Sequence, residues 1–291
     1  MSTVAARPPV TQPYAAPPVQ PEIIGTDNRI HTTDTTPVPF RFICCIDRFF
    51  KKTAPNEPRR TTGVLIGPRH VLTVGHTVLS PSFGEVRSMN IAVGRNGRRT
   101  PFGTVAAASW VAHPRWVAGR DRQFDIALIT LATPIGESTF GGKKLGWWGD
   151  PSPAGGGTRL TVVDPKKLAG APANICGYPA DKCNGAQRRS RHACTGAVQN
   201  PSAPTGCTPQ DTGSNQWRSF ANIRHPIVPG RPGLIDYDMD TKGGHSGSPM
   251  WIRWQSVRWL VAIHRGVDCG SNLNEGVRLT DALWTTIRSW M

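Results

Sequence analysis

Asp238-Met239-Asp240-Thr241-Lys242-Gly243-Gly244-His245-Ser246-Gly247-Ser248-Pro249 surrounds one serine with glycines, and a short apolar run, Met250-Trp251-Ile252, follows it. A serine that attacks a carbonyl needs backbone N–H groups converging on the oxyanion it creates. Gly244 and Ser246 can supply two of them from a tight turn, and Gly243 and Gly247 give that turn its conformational freedom. Ser246 therefore reads as a candidate nucleophile. By itself the stretch also reads as a flexible Gly/Ser loop, so its meaning depends on what else the chain offers.

Two other stretches decide. Val64-Leu65-Ile66-Gly67-Pro68-Arg69-His70-Val71-Leu72-Thr73-Val74-Gly75-His76 is two apolar strand-like runs joined by a Gly-Pro turn and ended by a histidine. Phe124-Asp125-Ile126-Ala127-Leu128-Ile129-Thr130-Leu131 is an apolar strand with a single carboxylate, costly to bury without a partner. His76 is the candidate general base and Asp125 the candidate orienting acid. Taken singly, His76 also reads as a satisfied interior histidine and Asp125 as a strand-start cap. Together with Ser246 they stand in the order His, Asp, Ser, which is that of chymotrypsin-type peptidases and differs from the Ser, Asp, His order of α/β-hydrolases. The apolar strand after Ser246 agrees, because a hydrolase nucleophile elbow runs into a helix.

On these residues the chain resembles the chymotrypsin-fold serine peptidases, and more closely their bacterial glutamyl endopeptidase branch. Further stretches extend the likeness from about Ile23 to the C-terminus: Ile24-Gly25-Thr26-Asp27-Asn28-Arg29, Thr33-Asp34-Thr35-Thr36, Gly94-Arg95-Asn96-Gly97, Cys176-Gly177-Tyr178-Pro179 and Ala262-Ile263-His264. The resemblance implies an all-β fold of two antiparallel β-barrels with a C-terminal helix and the active site in the cleft between them. It implies a serine endopeptidase working through an acyl-enzyme, without a metal or other cofactor. His76, Asp125 and Ser246 would form its catalytic triad, and the N–H groups of Gly244 and Ser246 its oxyanion hole. His264 and Thr241 would bind the side chain of a substrate glutamate, with aspartate second. In the family the mature chain's α-amino group assists, and cutting after Glu22 would make Ile23 that terminus. The tail before it is then a propeptide of a zymogen, or else a linker. Departures from the family are Lys242 and Arg265, which add charge beside the pocket, and His245, which replaces the amide usual before the serine. Thr77 stands where many relatives have a cysteine.

Composition permits this. A chain of 291 residues buries a core without staples, and its 31 Gly and 27 Pro among short β-type runs point to an all-β protein. The charge, 34 basic against 19 acidic residues or +15, is scattered in pairs such as Lys51-Lys52, Arg98-Arg99 and Lys166-Lys167. This reads as a solvated basic surface, with steering of acidic substrates the functional alternative. No nucleic-acid module accompanies it, and no apolar run has membrane-spanning length. A catalytically weak, peptidase-fold binding protein for acidic partners is the rival reading. It accounts for the charge but not for three catalytic residue types in order.

Seven cysteines cannot all pair within one chain. Cys183, Cys194 and Cys207 lie in a polar insertion, where a disulfide is expected if the protein matures in an oxidising compartment, its pairing open. Zinc held there with His192 is disfavoured, because no Cys-x-x-Cys spacing is present.

Residues 1–22 form a Pro-rich tail. Met1-Ser2-Thr3-Val4-Ala5-Ala6-Arg7-Pro8 has neither the basic start nor the apolar stretch of roughly 7–15 residues that an export signal needs, so secretion is expected from the resemblance alone. Residues 23–140 are expected to form an N-terminal barrel carrying His76 and Asp125. Residues 141–291 would form a C-terminal barrel carrying Ser246, with a Cys-rich insertion at 180–214 and a helix over 280–290, where Thr280 is an N-cap and Leu283, Ile287 and Trp290 recur at helical spacing.

Overall fold

The computed structural model describes residues 23–53, 57–183, 186–187, 190–191, 198–199, 212–268 and 270–291, with backbone alone for those from 183 to 199. Strands β1 (Ile43–Phe50), β2 (Arg59–Leu65), β3 (His70–Thr73), β4 (Gly84–Val93), β5 (Thr104–Ala112) and β6 (Ala127–Leu131) are antiparallel neighbours in the order β1-β2-β3-β6-β5-β4, and β1 pairs back with β4. The second set, β7 (Pro172–Gly177), β8 (Trp217–His225), β9 (Leu234–Tyr237), β10 (Pro249–Trp254), β11 (Val257–Asp268) and β12 (Leu273–Arg278), runs β8-β7-β10-β11-β12-β9, and β8 pairs back with β9. Each ring is a closed six-stranded antiparallel barrel, and strand order in the second repeats that of the first. Closure pairs the ladders and removes open sheet edges.

The Gly67-Pro68 turn joins β2 to β3, with the Ile66 N–H donating to the His70 carbonyl at 2.8 Å. Short helices α1 (Gly75–Val78) and α2 (Pro114–Gly119) interrupt the first barrel, and α3 (Asp281–Ser289) ends the chain. The Thr280 hydroxyl accepts the Leu283 N–H at 3.2 Å, the expected N-cap, and α3 buries Leu283, Trp284 and Ile287.

One apolar cluster runs from Phe42, Ile46, Leu72 and Ile91 in the first barrel through Trp148 to Trp251 and Ile263 in the second, and on to Leu283 and Ile287 of α3. A second cluster, including Ile175, Ile223, Ile235, Met250 and Val261, fills the C-terminal barrel. Each such side chain contributes roughly 1.5–3 kcal/mol by leaving water. Because the first cluster is continuous across both barrels, the groove between them has packed walls. Trp148, in the Gly-rich crossover, is wholly buried edge-on to Trp251, and its indole N–H donates to the Arg159 carbonyl at 3.0 Å.

Strand β12 escapes the sequence reading. Leu273-Asn274-Glu275-Gly276-Val277-Arg278 carries polar side chains where a buried strand shows apolar ones, yet Asn274 and Glu275 are fully buried, because β11 and its neighbours bring them partners from elsewhere in the chain. Asp125 lies just before β6, at the end of a single 3₁₀ turn, rather than inside the strand.

The disulfide expectation is corrected. No disulfide is present among the described residues: Cys44, Cys45 and Cys176 are free, buried thiols. Cys45 directs its sulfur to the Gly213 carbonyl and Cys176 to the Gln216 side chain, each enclosed in the core, where burial pushes the thiols up to about 12. Such thiols are inert packing groups. The Cys183 side chain, Cys194, Cys207, Cys269, His192 and the tail at residues 1–22 lie outside the described residues. Among the described residues no helix is long and apolar enough to cross a membrane.

Candidate active site

His76 leaves the end of β3 in α1. Its predecessor must be glycine, because a Cβ on Gly75 would lie 2.5 Å from the Trp116 ring, which also faces the His76 ring. Asp125 is fully buried and accepts two bonds from the same histidine: Oδ1 from the His76 backbone N–H at 2.8 Å and Oδ2 from Nδ1 at 2.8 Å. A carboxylate can only accept, so the network assigns the imidazole proton to Nδ1 and leaves Nε2 as the basic nitrogen. Burial alone would raise the Asp125 pKa. The His76 ring, the Arg265 guanidinium and the His76 N–H outweigh it and hold the carboxyl below the usual range.

The loop carrying Ser246 belongs to the second barrel but is sewn to the first. The Ser246 carbonyl accepts the Thr62 N–H at 2.9 Å and the Thr61 hydroxyl at 2.6 Å, both from β2. Gly247 has φ +88°, and a Cβ there would lie 1.9 Å from the Thr62 carbonyl oxygen and 2.3 Å from the Thr73 hydroxyl. Thr73 in turn contacts Thr77 at 3.1 Å, the residue after His76. The nucleophile and base candidates thus share one wall through their immediate neighbours. Among the described residues no hydrogen bond joins the Ser246 hydroxyl to the His76 ring, as is common before substrate binds.

The backbone around Ser246 is oriented by its carbonyls. The Gly243 carbonyl accepts the Ala180 N–H at 2.6 Å, and the His245 carbonyl accepts the Ser248 N–H at 2.8 Å. In a trans peptide the N–H points opposite to the carbonyl, so both bonds turn the Gly244 and Ser246 N–H groups away from those partners. Neither N–H meets an acceptor among the described residues, whereas those of His245, Gly247 and Ser248 do. His245 supports this turn from within. Its Nδ1 accepts the Lys242 N–H at 3.0 Å and its Nε2 faces the Trp217 carbonyl at 3.3 Å, an arrangement of the neutral ring, and burial drives its pKa down to about 3.

The two pocket candidates are both fully buried. His264 meets the Tyr237 hydroxyl through Nδ1 at 2.5 Å, while its Nε2 has no partner among the described residues. Burial, with further contributions from His245, Arg265 and His76, holds its pKa well below the ordinary value. Thr241 donates to Asn274 Oδ1 at 2.9 Å, and Asn274 donates to the Met239 carbonyl at 2.8 Å.

Sequence reading missed three parts of this site. Asp240, beside Thr241, accepts the Ile24 N–H at Oδ1 and the Asn28 N–H at Oδ2, each at 2.8 Å. The segment starting at the buried Ile23 is also pinned by Arg29, whose guanidinium grips Asp181 at 2.9 and 2.5 Å, while Asp27 holds Lys182 at 2.9 Å. Arg265 donates from Nε to Asp125 Oδ2 at 3.3 Å and from Nη1 to Glu275 Oε1 at 2.8 Å. Tyr237 carries no motif at all. Asp240 stands in the quoted stretch before the serine, but the backbone partners of its carboxylate lie more than 200 positions away in the chain.

Two six-stranded barrels with a histidine–aspartate pair on one and a glycine-flanked serine docked from the other define a chymotrypsin-type serine peptidase. The model of the trypsin-like peptidase domain matches residues 61–255, and the chain belongs to that family, with bacterial glutamyl endopeptidases among its relatives. The glutamyl endopeptidase of Bacillus licheniformis is 27% identical over 285 residues, covering 96% of this chain and 72% of the relative. A Bacillus subtilis protein named extracellular metalloprotease is 26% identical over 270 residues, covering 92% and 69%. The solved structure of a Glu endopeptidase in complex with MPD superposes with a TM-score of 0.65 at 23% identity, covering 92% of this chain and 98% of that one, a likeness of fold. Among the described residues no group of three or more His, Cys, Asp or Glu side chains is placed to hold a metal ion.

Proposed function

We propose that this serine peptidase uses Ser246, His76 and Asp125 as its catalytic triad and cleaves peptide bonds after glutamate, with aspartate second. His76 Nε2 takes the Ser246 proton as Oγ attacks the carbonyl. The oxyanion forms between the Gly244 and Ser246 N–H groups, and the leaving amine takes the proton back from His76. Water then hydrolyses the acyl-enzyme by the same route. One oxyanion donor is typically worth about 3 kcal/mol in the transition state.

The observation that carries the specificity is the buried Nε2 of His264, which has no partner among the described residues. A buried polar atom without a partner is costly, and a carboxylate entering the pocket would supply the missing acceptor. Asp240, the acid that would otherwise favour a basic substrate side chain, is already engaged by two backbone N–H groups. The similarity to a Bacillus licheniformis protein named glutamyl endopeptidase supports the same reading. Thr241 contributes by lining the pocket, and the +15 charge favours acidic segments of protein substrates.

His264 is neutral in the empty pocket, and an incoming carboxylate raises its pKa, so binding of a Glu substrate takes up a proton. KM for peptides with glutamate at the cleaved position therefore rises with pH above the pKa of His264 in the empty pocket. In His264→Ala that rise disappears and the Glu preference in a peptide-library profile falls by about 100-fold. An unchanged profile, or a wild-type preference for Lys, Arg or large apolar residues, would sink the assignment.

We read residues 23–140 and 141–291 as the two barrel domains and the protein as secreted. Ile23 is the proposed mature terminus. Segment 23–29 is docked against Asp240, so a cut after Glu22 frees an α-amino group beside the residue that adjoins Thr241. Incubated wild type is expected to lose its first 22 residues while Ser246→Ala keeps them, as read by mass spectrometry and N-terminal sequencing. Full activity of the intact chain, with no cut between Pro21 and Ile24, would rule the propeptide out.

A further inference from the structure

We propose that Arg265 is a positioning residue of the peptidase reaction: as the third partner of the Asp125 carboxylate it ties that carboxylate to Glu275 and acts on catalysis through His76. The inference rests on reading Asp125 as the orienting acid.

Arg265 is 8% exposed and lies on β11 directly after His264. Its fork spans two buried carboxylates, with Nε to Asp125 Oδ2 at 3.3 Å and Nη1 to Glu275 Oε1 at 2.8 Å. Glu275 does not need it for neutralisation. Arg122 already donates to Oε1 at 2.8 Å and Arg231 to Oε2 at 2.8 Å, and both also face Asp268. Three guanidinium groups around one carboxylate leave a surplus of positive charge, and Asp125 is the anion that balances it. The other ionisable groups near this network are His76 on Asp125, the buried His264, the Tyr237 hydroxyl, and Asp236, whose pKa is raised to about 6 by burial and by Glu275 and Asp268.

The geometry has two separable consequences. Arg265 and His76 Nδ1 share Oδ2, so the imidazolium formed in the transition state faces a carboxylate already partly neutralised. The positive charge therefore moves the acid limb of the rate profile to lower pH. Separately, the planar fork fixes the carboxylate against rotation, which keeps the imidazole aligned and sets the plateau rate. A lysine would keep the charge without the fork, a glutamine would keep N–H donors without the charge, and a methionine would keep neither.

The test measures kcat, KM and the acid limb of kcat/KM for wild type, Arg265→Lys, Arg265→Gln and Arg265→Met, each beside its melting temperature, together with Asp125→Asn and the double variant Asp125→Asn/Arg265→Gln. In Arg265→Gln and Arg265→Met the limb is expected to move up by about one pH unit, and in Arg265→Lys to stay at the wild-type position. The plateau kcat is expected to fall on the order of tenfold in Arg265→Lys and Arg265→Met and less in Arg265→Gln, with KM unchanged. In the Asp125→Asn background the Arg265→Gln change moves neither reading. If Arg265→Met does not fold, the Lys and Gln variants carry the comparison. Variants that lose melting temperature while limb and plateau stay at wild-type values, with Asp125→Asn inactive, would overturn the proposal for Arg265. Full activity in Asp125→Asn would instead overturn the reading of Asp125.

Discussion

Ser246→Ala is expected to lower turnover by about a million-fold while leaving the melting temperature within a degree or so of wild type. The size follows from the proposed mechanism: without Oγ no acyl-enzyme would form, and His76 and Asp125 would have nothing to activate. What remains is the catalysis due to the oxyanion donors and to binding. The fold survives because the loop is held by backbone groups that alanine retains. The Ser246 carbonyl still accepts from Thr61 and Thr62, and Gly247 still donates to the His264 carbonyl at 2.8 Å. The hydroxyl itself makes no hydrogen bond among the described residues, so nothing buried is left unsatisfied. Turnover of a peptide substrate by protein purified free of other proteases, beside a thermal melt and labelling by a serine-reactive phosphonate, checks all three points. Wild-type activity in the variant would move the nucleophile elsewhere.

Asp125→Asn is expected to lower kcat by about ten thousand-fold at neutral pH with KM almost unchanged, since the side chain touches His76 and not the substrate. The amide can turn its NH₂ toward Nδ1. The imidazole proton then moves to Nε2, the one nitrogen that must be free to take the serine proton. This variant also carries a pH-dependent stability change whose sign follows from the pKa. Asp125 has a lower pKa folded than unfolded, so its carboxylate stabilises the fold above the unfolded value, and that contribution is lost as pH falls through the folded one. The melting temperatures of wild type and Asp125→Asn should therefore differ at neutral pH and converge in strong acid. A constant difference across the range would mean that the charge of Asp125 does not contribute.

Neutral His245 gives this site a way of holding its oxyanion loop without an ion pair. The ring bonds the Lys242 N–H on one side and faces the Trp217 carbonyl on the other, and the Gly243 and His245 carbonyls are each engaged. The turn is thus held by His245 and its neighbours in the second barrel and by Thr61 and Thr62 of the first, with no amine among these partners. The proposed cut after Glu22 would then bear on the segment that Asp240 holds through Ile24 and Asn28, rather than on the turn around Ser246.

Local chemistry determined the strands whose apolar residues alternate between turns, the Thr280 cap, the apolar face of α3 and the identity of the three catalytic candidates, because each rests on residues within a few positions of one another. Motif order along the chain was enough to choose two barrels over an α/β sheet. Tertiary structure alone decided which polar residues could be buried. Glu275 and Asn274 show no apolar pattern in the chain, and they are buried only because Arg122, Arg231, Arg265 and Thr241 arrive from other segments. Asp240 carries no assigned role in the sequence, and only the fold brings the backbone of Ile24 and Asn28 to it. The odd count of seven cysteines does not say which of them stay free, and it is the core closing over Cys45 and Cys176 that leaves these two as buried thiols. The physical reason is common to all three. A buried charge or polar group is tolerated only with its partners, those partners lie tens to hundreds of residues away, and no periodicity in the chain records a hydrogen bond across that distance.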